Sequence, residues 1–298
     1  MKPFPVPVVA AALLGPGSQL EDETLDYMTM PQGMDTYRPP LLPEPELLGA
    51  RQAAHRVLRE TLSALDQVRH GGGAPAIDLA GLDGEDLALI NQVMGEGEVS
   101  ARVLAPDGEQ DAVRIQESVF AGVWRVMCFD RGVRVLDTLE VGAIPALLRQ
   151  AARDDVRGRS APALPPQLPP EVVNAPLLLG EIEDQWLRWQ PGMPPHVVNL
   201  TLLPMSVADI GFLDHQLGTG RVLILSRGYG NCRITNTCMP NCWRVVYYNS
   251  QDAVILNTVE VVDLPEVACA ALVDLHDSHE RLHEVLQWVE GALDGSAA

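Results

Sequence analysis

A large part of this 298-residue chain occurs twice in its sequence. Residues 114–126 align without a gap over residues 233–245, at a constant offset of 119 (233 − 114). One inserted residue later, residues 136–141 align over residues 256–261. Self-similarity at one fixed spacing is the signature of a repeated structural unit. The chain is therefore predicted to fold as two related modules.

Each copy has the pattern of a helix followed by strands. In the second copy, β-branched and aromatic residues are concentrated in four segments typical of strands: residues 222–226, 232–237, 243–249 and 253–262. Short turns connect these segments, so neighbouring strands are expected to be antiparallel. The predicted fold class is α+β, with two tandem duplicated modules, each a helix followed by a small antiparallel sheet with flanking helices.

The helix that precedes the strands carries the same capping signal in both copies. Asp83 with Asp86 in the first copy, and Ser206 with Asp209 in the second, are spaced like an N-cap residue and a reciprocating acid three residues later. This agreement extends the predicted repeat upstream of the strands.

Proline-rich composition marks the main predicted boundary between the modules. Pro165-Pro166 and Pro169-Pro170 lie in a stretch that is expected to form a semi-rigid linker. The predicted division of the chain is an extended N-terminal arm at 1–46, a first module at 47–157, the linker at 158–177 and a second module at 178–298.

The arm contains three closely spaced methionines, Met28, Met30 and Met34. Methionine side chains suit adaptable apolar contacts. Two interpretations follow: the methionines contact a partner protein, or they rest on the arm's own domain.

Charge excludes some classes of function. The net charge is −19 and Lys2 is the only lysine, so the surface repels phosphate backbones and nucleic-acid binding is disfavoured. No run approaches the ~20 apolar residues that span a bilayer. The first residues resemble a signal peptide, but Pro3, Pro5 and Pro7 interrupt the apolar stretch and favour an extended terminal segment. We expect a cytoplasmic protein without membrane insertion.

Three cysteines, Cys232, Cys238 and Cys242, suggest a metal or iron–sulfur site. Their C-x5-C-x3-C spacing lacks the paired C-x2-C that presents two sulfurs from one turn. The aligned positions of the first copy are all valine: Val113, Val119 and Val123. Since buried free cysteine packs as a small apolar side chain, structural thiols are the favoured interpretation and a metal carrier is the alternative.

The C-terminal sequence contains a literal zinc-protease motif. His279 and His283 flank Glu280 in the pattern H-E-x-x-H. A zinc hydrolase needs a third ligand from a later element, and only 15 residues (298 − 283) follow. Asp277 and Glu280 are equally explained as the cap of a last helix, after a helix opened by Pro265. Zinc hydrolysis is therefore disfavoured.

A glycine-tyrosine-glycine turn, Gly228-Tyr229-Gly230, separates two predicted strands. It lacks the Lys-Ser/Thr pair of a phosphate-binding loop, so a tight β-turn is the simplest interpretation. Arg227, Tyr229 and Arg233 also suggest a contact surface, because Tyr and Arg dominate binding hot spots. The first copy lacks this turn, which marks the second module as the specialised one.

The segments ILSRGYGNCRI, WRVVYYNSQDAVILNTVEVVDLPEVACAA and DSHERL resemble hydrogenase expression/formation proteins of the HupH, HoxQ and HyaF type. GPGSQLEDETLDYMTMPQGMDTYRPPLLPEPE and HVVNLTLLP are similar to other parts of that family. The resemblance covers most of the chain. The family's GYGNCR and NT-x-EV residues correspond here to Gly228, Tyr229, Gly230, Asn231, Cys232, Arg233, Asn257, Thr258, Glu260 and Val261.

The resemblance implies a non-catalytic accessory factor without a cofactor. It implies a chaperone or scaffold that binds the iron–sulfur small-subunit precursor of an uptake nickel–iron hydrogenase before assembly and export, together with other maturation accessory proteins. The predicted partner-binding residues are the three arm methionines and part of the turn and signature: Met28, Met30, Met34, Arg227, Gly228, Tyr229, Gly230, Asn231, Cys232, Arg233, Asn257 and Glu260. A carrier of iron–sulfur clusters or metal that uses Cys232, Cys238 and Cys242 is the alternative function.

Overall fold

The computed structural model describes most of the chain after the N-terminal arm. The described residues are 51–106, 108, 110–156, 164–165, 167–228 and 230–296, with side chains to residue 288. They divide into two compact units. The first unit comprises residues up to 148 together with residues from 268 onward, and the second unit comprises residues 149–267.

Helices and strands alternate in the same way in both units. In chain order the elements are α1 (Gln52–Arg69), β1 (Ile77–Asp78), α2 (Gly84–Met94), β2 (Val99–Leu104), β3 (Asp111–Glu117), β4 (Val123–Asp130), β5 (Val133–Val141), α3 (Ala146–Asp154), α4 (Ala175–Arg188), β6 (His196–Asn199), α5 (Val207–Leu217), β7 (Val222–Ser226), β8 (Asn231–Asn236), β9 (Cys242–Tyr248), β10 (Val254–Val261), a 3-10 turn (Glu266–Ala268) and α6 (Leu272–Ser296).

Each unit contains a five-stranded antiparallel sheet. The strand order is β1-β5-β4-β3-β2 in the first unit and β7-β8-β9-β10-β6 in the second. The α+β class and the antiparallel pairing are therefore as predicted. The four strands predicted for the second copy agree with β7 to β10 to within one residue at each end.

The first unit buries the apolar stripe of α1 against its sheet and against α6. Leu58 and Leu65 of α1 and Leu282 of α6 are fully buried in one core. Strand β5 supplies Leu139 to the same core. Burial of a leucine side chain contributes ~1.5–3 kcal/mol. Two helices that are far apart in the sequence, α1 and α6, therefore both stabilise this core.

The second unit has its own core. Helix α4 contributes Ile182 and helix α5 contributes Phe212, which pack with Val198 of β6 and Val259 of β10. Across the helices of the described residues, none combines the length and the hydropathy needed to cross a bilayer.

A buried aspartate joins the two helices of the second unit. Ser206 and Asp209 form the predicted reciprocal cap at the start of α5. The Asp209 Oδ1 atom also accepts backbone hydrogen bonds from Val173, Asn174 and Ala175, at 2.8, 2.8 and 3.0 Å. Burial acts to raise the pKa of Asp209, but these hydrogen bonds outweigh it and hold the pKa below its ordinary value.

The first unit repeats this arrangement. Asp83 caps α2 by accepting from the backbone of Glu85 and Asp86. Asp86 Oδ1 accepts from Ala54 N, at the start of α1, at 3.4 Å. Ala54 therefore occupies the place that Ala175 has in the second unit.

The C-terminal residues differ from the prediction. Residues 265–296 form a 3-10 turn and one long helix, α6, so a cap at Asp277 and Glu280 is wrong. The start of α6 is fixed by Asp274, whose Oδ2 accepts from Ala271 N at 2.8 Å. The predicted division also differs, since residues 268–296 belong to the first unit and not to a module at 178–298.

Helix α6 lies in the first unit because the loop between β3 and β4 binds it. Ser278 Oγ donates to the Ala121 carbonyl oxygen at 2.9 Å, and Arg281 Nη1 donates to the Val119 carbonyl oxygen at 3.0 Å. Leu275 lies so close to Gly122 that a Cβ atom there would be 2.2 Å from Leu275 Cδ2. The helix is thus matched to this one loop.

One carboxyl beneath that loop predicts a pH dependence of stability. Burial raises the pKa of Glu117 from its ordinary value of 4.5 to about 7, against hydrogen bonds from Gly122 and Val99. The charged form is disfavoured only in the folded state, so this contribution to stability is present below pH 4.5 and is lost as the pH rises to 7. We expect Glu117→Gln to remove a fall of roughly 2–3 kcal/mol in the free energy of unfolding across this range.

Denaturant unfolding at a series of pH values measures this fall. The exposed Glu96→Gln variant is the matched control and should keep it. The amide is compatible with the site, because the second unit has Asn236 at the aligned position, accepting from Val222 N at 2.9 Å. An unchanged pH slope in Glu117→Gln would contradict the assignment.

A half-buried guanidinium is neutralised differently in the two units. In the first unit, Asp137 accepts from Arg125 Nε and Nη2, at 2.8 Å each, and Asn91 accepts from Nη1 of the same arginine. In the second unit, Arg244 and Asp214 form an ion pair at 3.2 Å. The carboxylate lies on the strand in the first unit (Asp137) and on the helix in the second (Asp214). The strand position aligned with Asp137 holds the amide Asn257 instead.

This exchange predicts a compensating pair of substitutions in the first unit. Asp137→Asn should destabilise the chain by about 3 kcal/mol, because it removes the buried carboxylate that pairs with the half-buried Arg125. Adding Asn91→Asp supplies the acid as the second unit does, and should recover more than half of the loss. Urea unfolding of both single variants and the double variant measures the coupling. A double variant no more stable than Asp137→Asn alone would refute the equivalence.

Candidate functional site

The glycine-rich turn joins β7 to β8 at the end of the second-unit sheet. The last ladder pair before it is Ser226 with Cys232. Arg227, Gly228 and Gly230 are all exposed. Gly230 has a φ of +101°, which only glycine adopts readily, so the sequence requirement for glycine at this position is explained. Tyr229 lies outside the described residues.

The next signature residues turn into the sheet. Asn231 is half-buried and pairs with Tyr248. Arg233 is buried, and its guanidinium lies over the Tyr248 ring at 5.4 Å. The prediction that Arg233 forms an exposed contact surface is therefore wrong. The first unit has the same packing, with Arg114 over Phe129 at 5.1 Å, so it belongs to the common framework.

Cys232 is completely buried in β8. Its thiol lies beside the Tyr247 hydroxyl on the next strand. Burial raises the pKa of Cys232 to about 12, although the hydrogen bond with Tyr247 acts in the opposite direction. Burial likewise raises the pKa of Glu260 above its ordinary value. At neutral pH the Cys232 thiol is therefore protonated and a poor ligand or nucleophile.

Strand β10 carries the rest of the signature. Asn257 is buried; its N–H donates to Thr201 Oγ1 and its carbonyl oxygen accepts from Leu200, both at 2.8 Å. Thr258 Oγ1 donates to Glu260 Oε1 at 3.2 Å, and Val261 lies in the core. The hydrogen bonds of Asn257 with Thr201 and Leu200 hold β10 in position beside β6.

The predicted partner-binding residues thus separate into two groups. Arg227, Gly228 and Gly230 are at the surface, whereas Cys232, Arg233 and Asn257 are inside. Asn231 and Glu260 lie between these extremes. The arm methionines Met28, Met30 and Met34 lie outside the described residues.

The three cysteines of the alternative function do not form one site. Cys232 pairs with Tyr247, and Cys242 is five residues before Tyr247 in the same strand, so the two thiols lie on opposite faces of the sheet. Burial raises the pKa of Cys242 to about 12 as well. Cys238 is half-buried in the turn between β8 and β9, and its thiol lies 3.6 Å from the Thr219 carbonyl oxygen.

The histidines of the zinc-protease motif lie on α6. The rings of His279 and His283 are 6.1 Å apart, and His279 lies 3.8 Å from Asp66 of α1. Throughout the described part of the chain, no three His, Cys, Asp or Glu side chains are grouped so that they could hold a metal ion.

Sequence reasoning missed an exposed apolar surface on the second unit, formed at the start of α4 and in the loop after β6. Leu177 of α4 and Leu202, after β6, are each at least three-quarters exposed. Aligning the two copies could have shown it, because Arg56 and Gly81 stand at the corresponding places in the first unit.

The burial of the thiols predicts their reactivity. With iodoacetamide at pH 8, we expect Cys238 of the native chain to be alkylated well before Cys232 and Cys242, which should react only after denaturation. Peptide mass spectrometry over time measures all three sites, with Cys238 as the internal control. Modification of Cys232 as fast as Cys238 in the folded chain would show that β8 opens.

Comparison with known proteins identifies the family. The model of the HupH hydrogenase expression protein, C-terminal conserved region, matches this chain at residues 52–163 and again at residues 172–289. A solved structure of the hydrogenase expression protein HupH from Thiobacillus denitrificans is 26% identical with a TM-score of 0.35, covering 39% of this chain and 96% of that one.

Relatives align over nearly the whole chain. The hydrogenase expression/formation protein HoxQ of Cupriavidus necator is 59% identical over 97% of this chain and 99% of its own length. HupH of Rhodobacter capsulatus is 48% identical over 92% and 94%. The hydrogenase-1 operon protein HyaF of Escherichia coli is 34% identical over 94% and 96%. The chain therefore belongs to the HupH/HoxQ/HyaF family of hydrogenase expression/formation proteins.

Proposed function

We propose that this chain is a cytoplasmic maturation chaperone or scaffold for an uptake nickel–iron hydrogenase. It binds the iron–sulfur small-subunit precursor before assembly and export, together with other accessory proteins, and catalyses no reaction itself. The observation that carries the proposal is the near full-length match to relatives named as hydrogenase expression/formation proteins. A protein that acts by binding needs a stable framework and an exposed contact surface rather than a catalytic cluster.

We infer that the framework arose by duplication of one module. The main support is a hydrogen-bond scheme shared by both units. Trp124 Nε1 donates to the Gly142 carbonyl oxygen and Trp243 Nε1 to that of Asp263, at 2.9 and 3.1 Å. The double match to one family region also supports a duplication.

The paired turns support the same inference. In the first unit, Ser118 Oγ accepts from Phe120 N at 3.1 Å. In the second, Thr237 Oγ1 accepts from Met239 N at the same distance. Both pairs of positions differ by 119, the offset of the sequence repeat.

Within this framework, the turn after β7 is the proposed contact with the precursor. Its described residues Arg227, Gly228 and Gly230 are exposed, and the first copy lacks the Gly-Tyr-Gly sequence, so this turn can differ without disturbing the shared packing. The buried signature residues Cys232, Arg233 and Asn257 would hold this turn and β10 in place. The arm methionines remain proposed contacts from outside the described residues.

Co-purification with the small-subunit precursor tests the function. We expect a tagged chain, expressed in hydrogenase-producing cells, to retain the precursor, and Arg227→Glu to weaken the complex by about tenfold through loss of a hot-spot cation. Arg131→Glu, at the exposed hairpin tip between β4 and β5, is the matched control. A wild-type chain that never retains the precursor would refute the function. Equal loss in both variants would show a general charge effect instead of a turn contact.

A further inference from the structure

The second unit displays a group of exposed apolar side chains at the N-terminal ends of α4 and α5 and in the loop between β6 and α5. Leu202 is 81% exposed and Leu177 is 75% exposed. We name this surface the leucine patch, and it consists of Val173, Leu177, Leu202, Leu203 and Val207. Single exposed leucines are common, but several at one place indicate a binding surface.

Hydrogen bonds bring the three segments of the leucine patch together. Asn174 Nδ2 donates to the Pro204 carbonyl oxygen at 2.8 Å, which ties the start of α4 to the loop before α5. Asn199 Oδ1 accepts from the backbone of Thr201 and Leu202, at 3.0 and 3.2 Å. The Asp209 carboxylate fixes both helix ends, because it accepts from Ala175 N at the start of α4 and from Ser206 N at the start of α5. The patch is therefore held in one conformation before any partner arrives, which reduces the entropic cost of binding.

The first unit has the same local framework without the apolar surface. Asp78 Oδ1 accepts from Ala80 N as Asn199 does from Thr201 N. The residues of the first unit at the same places are found by alignment on three equivalent pairs: Ala175 with Ala54, Asn199 with Asp78, and Asp209 with Asp86. This alignment places Gln52, Arg56, Gly81 and Gly84 of the first unit opposite Val173, Leu177, Leu202 and Val207. The fold itself therefore does not require leucine or valine at these positions. Exposure of large apolar groups costs solubility, so their presence in one unit alone points to binding.

The charge around the leucine patch selects the kind of partner. Residues 171–217 contain no lysine and one arginine, Arg188, which pairs with Asp184 at 2.8 Å. The same residues contain six carboxylates: Glu171, Glu181, Glu183, Asp184, Asp209 and Asp214. Asp209 is buried and Asp214 pairs with Arg244, but the other four carboxylates still outnumber the single arginine. The net charge of this segment is therefore negative, which favours a cationic partner and repels an acidic one.

We propose that the leucine patch is a docking surface for an apolar segment, flanked by lysine or arginine, of a partner protein. The assignment rests on the proposed function, because it takes the segment to be part of the hydrogenase small-subunit precursor. Apolar side chains of the segment cover Leu177 and Leu202, and its cations face the surrounding carboxylates. This contact is separate from the turn after β7.

Overlapping peptides that span the precursor provide the test. The full-length chain is applied to the peptide array, and two variants are compared with it: Leu177→Arg/Leu202→Gly, which installs the first unit's residues, and Leu177→Ala/Leu202→Ala, which only removes apolar area. Val135→Arg, at an exposed position of β5, is the control. We expect the wild-type chain and the control to retain basic apolar peptides, and both patch variants to bind them about tenfold more weakly. Added salt should weaken the wild-type interaction.

Three outcomes would overturn the proposal. The first is retention of the same peptides by the patch variants and the wild type. The second is retention of acidic or purely polar peptides. The third is a wild-type dimer that becomes monomeric in the patch variants by light scattering, which would make a second copy of this chain the occupant. Normal co-purification of the intact precursor with the patch variants would leave the chaperone function standing without this surface, whereas loss of the wild-type complex would remove the function itself.

Discussion

The second unit depends on a single carboxylate that is held almost entirely by the backbone. Asp209 begins α5 and at the same time satisfies the free N–H groups at the start of α4. A helix end leaves its first N–H groups without intrahelical partners, and an anion placed there offsets both the missing hydrogen bonds and the helix dipole. Because one side chain serves two helix ends, the helices cannot shift independently. The position of the second-unit sheet and of the leucine patch relative to these helices is therefore fixed as well.

Comparison of the two units separates the features that they share from those in which they differ. The tryptophan and turn hydrogen bonds occur at matched positions in both. Other positions conserve a physical requirement rather than a residue. A half-buried guanidinium is neutralised by a strand aspartate in one unit and by a helix aspartate in the other. The position beneath the β3–β4 turn holds the Glu117 carboxyl in the first unit and the Asn236 amide at the equivalent place in the second. Both differences are local, which is why the sheets remain alike.

Strand content was predictable because β-branched and aromatic residues cluster between short turns, and this pattern depends only on local sequence. The Ser206 cap was predictable for the same reason. The position of α6 was not, since its interaction with the Val119 and Ala121 carbonyls links residues about 160 positions apart. The signature motif pointed to one region of the second unit, but the sequence could not show which of its residues are exposed and which are buried. Whether Arg233 points outward depends on its packing over Tyr248, which is a tertiary contact.

The membership of α6 in the first unit has a consequence for biosynthesis. The chain emerges from the ribosome from its N-terminus, so the strands of the first unit are made early, whereas α6 is made only after the whole second unit. Until then, the apolar surface that receives Leu275, Leu282 and Leu286 has no cover. The second unit, in contrast, has its whole sheet and both core helices before α6 is made. The second unit can therefore fold before the first, and the exposed apolar surface of the first unit is prone to aggregation until α6 has been made.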